Sequence, residues 1–211
     1  MFTNIRKFSP AAVASGAALA LLTACGGTDN NSMSGHDMST MSSSAPAATT
    51  ASAQPSATFT DADVMFAQMM IPHHQQAVEM AELADTRASD KEIKDLAAKI
   101  KAAQDPEIQT MQGWLAAWGK PMPSGGMDDG MGHDMPGMMS EEDMKKLEDA
   151  KGAAFDKQFA QLMIAHHNGA IEMARTEQSQ GANPEAKELA KTIETAQQTE
   201  VEQMRKILKR L

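Results

Sequence analysis

Two adjacent histidines occur twice in the sequence, as His73-His74 and His166-His167. Each pair has a methionine three positions before its first member and seven after it: Met70 and Met80 in one case, Met163 and Met173 in the other. Thioethers are soft, neutral ligands that need no deprotonation, and they select Cu(I) over hard cations. Imidazole suits Cu(I) and also Cu(II). On a helix, Met70 lies within one turn of both His73 and His74. His73 and Met80 are two turns apart, about 10 Å along the axis, so they share an ion only if another helix contributes. Met111 and Met204 are placed to do so. The same histidines could instead be buried residues bonded to Glu107, Glu200, Gln104 or Gln197. The two readings are compatible, because a ligating imidazole needs an acceptor on its other nitrogen. Whether the pairs converge on one site or make two stays open.

A second set of methionines lies where nothing can bury them. The chain has 19 Met in 211 residues. Three of them, Met33, Met38 and Met41, sit with His36 in a Ser/Thr/Ala/Gly-rich stretch. Six more, Met122, Met127, Met131, Met135, Met138 and Met139, sit with His133 among Gly, Pro and Asp. In a core, Met fills gaps, but these loops offer no core, and exposed thioethers oxidise. Met33, His36 and Met38, and Met131, His133, Met135 and Met138, therefore read as looser copper ligands that collect metal for the buried ones.

The elements that must position these residues follow from an internal repeat. Adding 93 to each number superposes residues 66–81 on 159–174 without a gap, with 11 of 16 positions identical. The same offset carries Leu96, Ile100, Ala103, Gln104, Glu107 and Met111 onto Leu189, Ile193, Ala196, Gln197, Glu200 and Met204, so the repeated unit is a pair of helices. Phe66, Met70, His73, Ala77, Met80 and Ala84 alternate by four and three, the spacing of a helical seam. Thr60, Ser89, Ser140 and Asn183-Pro184 read as helix starts, and Gly181 as a stop. Pro106 removes an amide donor in mid-pattern and predicts a kink or break. The fold class is all-α: an antiparallel four-helix bundle, ferritin-like, of two helical hairpins related by internal duplication. Repeat 1 spans about 60–118, a Met/Gly-rich loop 119–139, and repeat 2 about 140–211. Trp114 and Trp118, one turn apart, are expected to close the bundle end.

Residues 1–24 resemble a lipoprotein signal peptide. Arg6 and Lys7 precede an apolar run, and Leu22-Thr23-Ala24 leads into Cys25, the only cysteine in the chain. Lipidation of Cys25 would tether the protein outside the cytoplasm without a span. Residues 25–59 are too polar to fold and read as a flexible, disordered arm. The net charge of −9 argues against nucleic acid, which demands clustered Lys and Arg. One cysteine excludes an intrachain disulfide framework or a CxxC redox site.

Met70-Ile-Pro-His73-His74-x-x-Ala-x-x-Met80-Ala and Phe155-Asp-x-x-Phe159-x-x-x-Met163-Ile-x-His166-His167-x-x-Ala170-Ile-x-Met173 resemble the signature of the domain-of-unknown-function 305 family. The resemblance covers about residues 61–211. It implies a ferritin-like bundle of an exported bacterial protein, with copper handled through Met and His in some members. The expectation is a lipid-anchored extracytoplasmic protein that sequesters Cu(I), with Cu(II) as a further ligand, or transfers it to an envelope copper-transfer partner. Two other readings compete with it. A ferritin-like di-iron oxidase would require Glu-x-x-His motifs, and no Glu stands three residues before any His. A metal-free envelope interaction domain would use a bundle face. No nucleophile or phosphate-binding loop supports catalysis, so the protein is expected not to be an enzyme.

Overall fold

The computed structural model describes residues 58–123 and 135–211. The signal peptide, Cys25, the arm with Met33, His36 and Met38, and the loop residues Met131 and His133 lie outside the described residues.

Five helices follow in order: α1 (Asp61–Arg87), α2 (Lys91–Ala117), α3 (Glu141–Asp149), α4 (Ala153–Gln180) and α5 (Pro184–Leu208). Four long ones form the expected bundle of two hairpins, with α1 packed on α2, α4 on α5, and α1 against α4. No described helix is long and apolar enough to cross a membrane.

The repeat does not begin as one helix at residue 140. Ser140 caps only the short α3, its hydroxyl accepting from the Asp143 amide at 3.1 Å. The chain then breaks at Gly152, whose φ of 62° lies where a side chain is strained, and whose amide donates to Arg87 O at 2.8 Å. Leu147 anchors α3 by inserting, fully buried, into the core. Pro106 does not end α2, which runs through it as α1 runs through Pro72. A proline denies one carbonyl its helical partner, and both helices are long enough to carry that loss. The cap of α2 is Asp90, which accepts from the Glu92 and Ile93 amides, rather than Ser89.

The central helices are the most buried. α1 and α4 each bury 13 residues, against 8 in α2 and 7 in α5. The core forms two clusters related by the duplication: Met70, Met111 and Met173 belong to one, and Met163, Met204 and Met80 to the other. Phe59, Trp118 and Trp114 stack at 4.8 and 5.9 Å between ring centroids against the first of these, which places the tryptophans at that end.

Each hairpin also locks the turn of the other through one buried aspartate. Asp63 in α1 accepts from the Ala182 and Asn183 amides of the α4–α5 turn, at 3.1 and 2.8 Å. Its counterpart Asp156 in α4 accepts from the Ser89 and Asp90 amides of the α1–α2 turn, both at 3.0 Å, and from the Ser89 hydroxyl. Burial raises the Asp63 pKa, but the hydroxyl and amide of Thr60 and the amides of Ala182 and Asn183 outweigh it, holding the carboxyl well below the usual range.

Only the second copy adds a buried acid here. Glu177 stands where the first repeat has Ala84, is 1% exposed, and lies with its carboxyl against that of Asp63. Burial first, and Asp63 next, push its pKa up to about 8. Gly181 stops α4 with φ −68°, so it is not needed for a left-handed turn. It is needed because a Cβ there would lie 2.1 Å from Glu177 Oε1.

Because the folded pKa of Glu177 lies above the unfolded value near 4.5, its contribution is full below pH 4.5 and declines as pH rises through 8. Thermal unfolding of wild type is therefore expected to show a stability loss between pH 5 and 8 that Glu177→Ala lacks. An equal slope in both proteins would rule this out. Asp63→Asn is expected to cost about 3 kcal/mol in denaturant unfolding, the range for lost hydrogen bonds to a buried charge.

Candidate functional site

The four histidines sit at the middle of α1 and α4, each with no exposed surface. His73 and His166 stack across the α1–α4 contact with ring centroids 3.7 Å apart and planes tilted by 38°. Antiparallel packing of two copies of one helix produces this meeting. Equivalent residues near the middle of each helix face one another, while Met70 joins Met173 in one cluster and Met80 joins Met163 in the other.

Their outer partners come from other elements. His74 Nε2 donates to Glu107 Oε2 on α2 at 2.8 Å, and His167 Nε2 donates to Glu200 Oε2 on α5 at 2.7 Å. His73 Nε2 lies 3.1 Å from the carbonyl oxygen of Pro136, which can only accept. All three rings thus carry a proton on Nε2, and His73, which burial keeps neutral, presents an unprotonated Nδ1. Five ring nitrogens have no hydrogen-bond partner: Nδ1 of His73, His74 and His167, and both nitrogens of His166.

Burial keeps the central pair neutral. It lowers the His73 pKa to about 3, with His74 adding repulsion. It lowers that of His166 well below the ordinary value, with His73, His167 and His74 adding to the effect. Neutral imidazoles with free lone pairs are ligands or proton acceptors, and buried groups of this kind are costly when left unpaired.

All six paired methionines of the helices are buried: Met70, Met80, Met111, Met163 and Met204 completely, and Met173 to within 8%. Met70, Met80, Met163 and Met173 bracket the histidines along α1 and α4, while Met111 and Met204 lie on α2 and α5. Of the loop residues, Met135, Met138 and Met139 are described and are half-buried. Gln104 and Gln197, expected as alternative partners for the histidines, are buried but leave Oε1 unbonded; Glu107 and Glu200 take that role. Glu79 and Glu172 point to solvent. Among the described residues, no three His, Cys, Asp or Glu side chains converge as a preformed cage.

Sequence reasoning missed the aspartate locks and the docking of residues 135–139 on the histidines. The locks were visible as acids recurring at the 93-residue offset. The docking was signalled by Gly169, a glycine in mid-helix beside the second histidine pair.

The duplicated bundle with paired buried histidines defines a class of helical protein built around a central neutral donor cluster. The chain belongs to the DUF305 family, "Domain of unknown function (DUF305)", whose model matches residues 63–208. No curated protein matches it. Solved structures do. A DUF305 protein of Streptomyces coelicolor, described as a candidate secreted protein, is 35% identical with a TM-score of 0.65, covering 71% of this chain and 93% of that one. CopM in its Cu(II)-bound form is 35% identical with a TM-score of 0.62, covering 70% and 96%. CopM in its Cu(I)-bound form is 33% identical with a TM-score of 0.59 over the same shares.

In the metal-free protein, His73 binds a proton near pH 6.5 when unfolded but only near pH 3 when folded. Its contribution is present above pH 6.5 and lost as pH falls toward 3. The thermal midpoint is expected to fall through this window, and His73→Phe with His166→Phe is expected to flatten that acid slope. An unchanged slope in the double variant would show that the pair is not held neutral.

Proposed function

We propose that the protein is an extracytoplasmic, lipid-anchored copper-binding protein that sequesters Cu(I) and hands it on. The observation that carries this reading is the set of five unpartnered ring nitrogens on four buried histidines, bracketed by six buried methionines. Neutral nitrogen and thioether donors without a carboxylate cage fit a soft monovalent ion better than a hard one. The carboxylates of Glu107 and Glu200 orient two of the rings and supply the balancing negative charge through them. The relationship to CopM, seen with Cu(I) and with Cu(II), supports copper without choosing its oxidation state; the sulfur donors favour Cu(I).

His73, His74, His166 and His167 would hold the metal with Met70, Met111 and Met173 at one end and Met163, Met204 and Met80 at the other. Met131, His133, Met135 and Met138, and Met33, His36 and Met38, would collect it from solution. Cys25 would anchor the chain at the membrane, in keeping with its Streptomyces relative's description as a candidate secreted protein. An envelope copper-transfer protein would receive the ion. The di-iron reading loses ground, since Glu79 and Glu172 face solvent and a carboxylate-bridged pair needs them inside.

Competition titration of the mature chain with Cu(I) and Zn(II) is expected to show a clear preference for Cu(I). X-ray absorption at the copper edge should then report mixed sulfur and nitrogen ligation. Replacing Met70 and Met163 by Leu, a nearly volume-conserving change, should lower the sulfur count and weaken Cu(I) at least tenfold while the fold persists. No Cu(I) preference, or an unchanged Cu(I) stoichiometry after all four helical histidines become Ala, would sink the bundle site.

A further inference from the structure

Residues 135–139 cross α1 and α4 as a strap beside the paired His73 and His166 rings. Gln76 grips it with two bonds to the backbone of Met139: Nε2 donates to Met139 O at 2.9 Å, and Oε1 accepts from Met139 N at 2.7 Å. Pro136 and Gly137 form a tight turn closed by Met138 N donating to Met135 O at 3.3 Å. Gly137 has a φ of 79°, as the third position of a type II turn requires. On the other helix Gly169 makes the room, since a Cβ there would lie 1.8 Å from Pro136 O.

Gln76 and Gly169 are the same position of the two repeats, 93 residues apart, and they have diverged in complementary directions. One holds the strap and the other admits it. A glycine in mid-helix costs about 1 kcal/mol relative to alanine, so α4 itself gains nothing from Gly169.

The consequence falls on His73. A carbonyl oxygen only accepts, so Pro136 places the His73 proton on Nε2 and leaves Nδ1 as the lone pair. Glu107 and Glu200 likewise hold the Nε2 proton of His74 and His167. His166, the counterpart of His73, makes no well-formed hydrogen bond from either nitrogen, with only the backbone of His73 beside its ring, because a single strap can serve only one of the pair.

We propose that the strap is a positioning element for His73: Pro136 fixes that ring as an Nδ1 donor and makes it inequivalent to His166, with Gln76 and Gly169 holding the strap in place. The functional consequence rests on the copper reading, whereas the tautomer belongs to the metal-free protein.

Imidazole ¹⁵N NMR and amide hydrogen exchange on metal-free wild type, Gln76→Ala and Gly169→Ala test it. Wild type should show His73 as the Nε2–H tautomer and a protected Met139 amide. In both variants Met139 should exchange at least tenfold faster and His73 should leave the pure Nε2–H form, while His74 and His167 keep theirs. Cu(I) affinity should fall about 10–100-fold, the usual effect of losing an outer partner. Gly169→Ala favours the helix and Gln76→Ala adds no bulk, so a shared result cannot be misfolding. The proposal is overturned if the Met139 amide is unchanged in both variants. It is equally overturned if the strap exchanges freely while the His73 tautomer stays fixed. If wild type binds no copper but the tautomer responds, the copper reading fails and the hold of the strap on His73 stands.

Discussion

Four imidazoles buried where α1 meets α4, the central two of them kept neutral by burial, set the terms for everything around them. An imidazole always carries at least one N–H, and leaving it unbonded away from water costs free energy. Three of the four rings find such an acceptor in the bundle. Two come from the second helices, where Glu107 and Glu200 keep their side chains 16% and 18% exposed. These carboxylates reach inward to the rings yet still touch solvent, so their own charge is not fully desolvated. The third acceptor comes from outside the long helices, at Pro136. The need to satisfy the rings thus ties α2, α5 and the strap to the central pair.

That central pair is aligned by the ends of the hairpins. Asp63 and Asp156 each start one central helix and each cap the turn of the other hairpin. The two locks are the same interaction written twice. With both ends fixed, α1 and α4 cannot slide past one another by a turn, about 5.4 Å. The stacking of His73 on His166 therefore depends on aspartates far from the rings. Leu147 of α3 is fully buried in one methionine cluster, adding a contact between hairpins that the duplicated unit lacks.

The architecture was legible because it was written as periodicity. The 4-3 spacing from Phe66 to Ala84 and the fixed offset of 93 gave two hairpins, and the buried faces of α1 and α4 coincide at 11 of their 13 positions. The boundaries were less legible where competing local rules met. Ser140 is a valid cap, but the helix it starts ends before Gly152. Pro106 breaks a local rule that two turns of flanking helix override. Glu107 and Glu200 could be named as outer partners because they recur; Pro136 could not, because a backbone carbonyl leaves no trace in residue type. Docking of the strap is a long-range event, encoded only in the divergence of Gln76 from Gly169.

Charge balance gives the strongest reason for matching this site to a monovalent soft ion. The groups at the centre are imidazoles, with buried methionines in the apolar clusters on either side, and the nearest anions, Glu107 and Glu200, act through the rings they hold. An ion with one positive charge leaves a small net charge in a water-poor interior, which two carboxylates at the rim can offset. An ion with two or three charges would leave a larger uncompensated charge, and in a low dielectric that cost rises steeply. Ferritin-like di-iron sites solve the same problem by bringing carboxylates into direct contact with the metal. Here the acids that follow each histidine pair, Glu79 and Glu172, are turned outward. On the proposed copper reading, the same helical scaffold would select between hard and soft chemistry by which face of each central helix carries its acids.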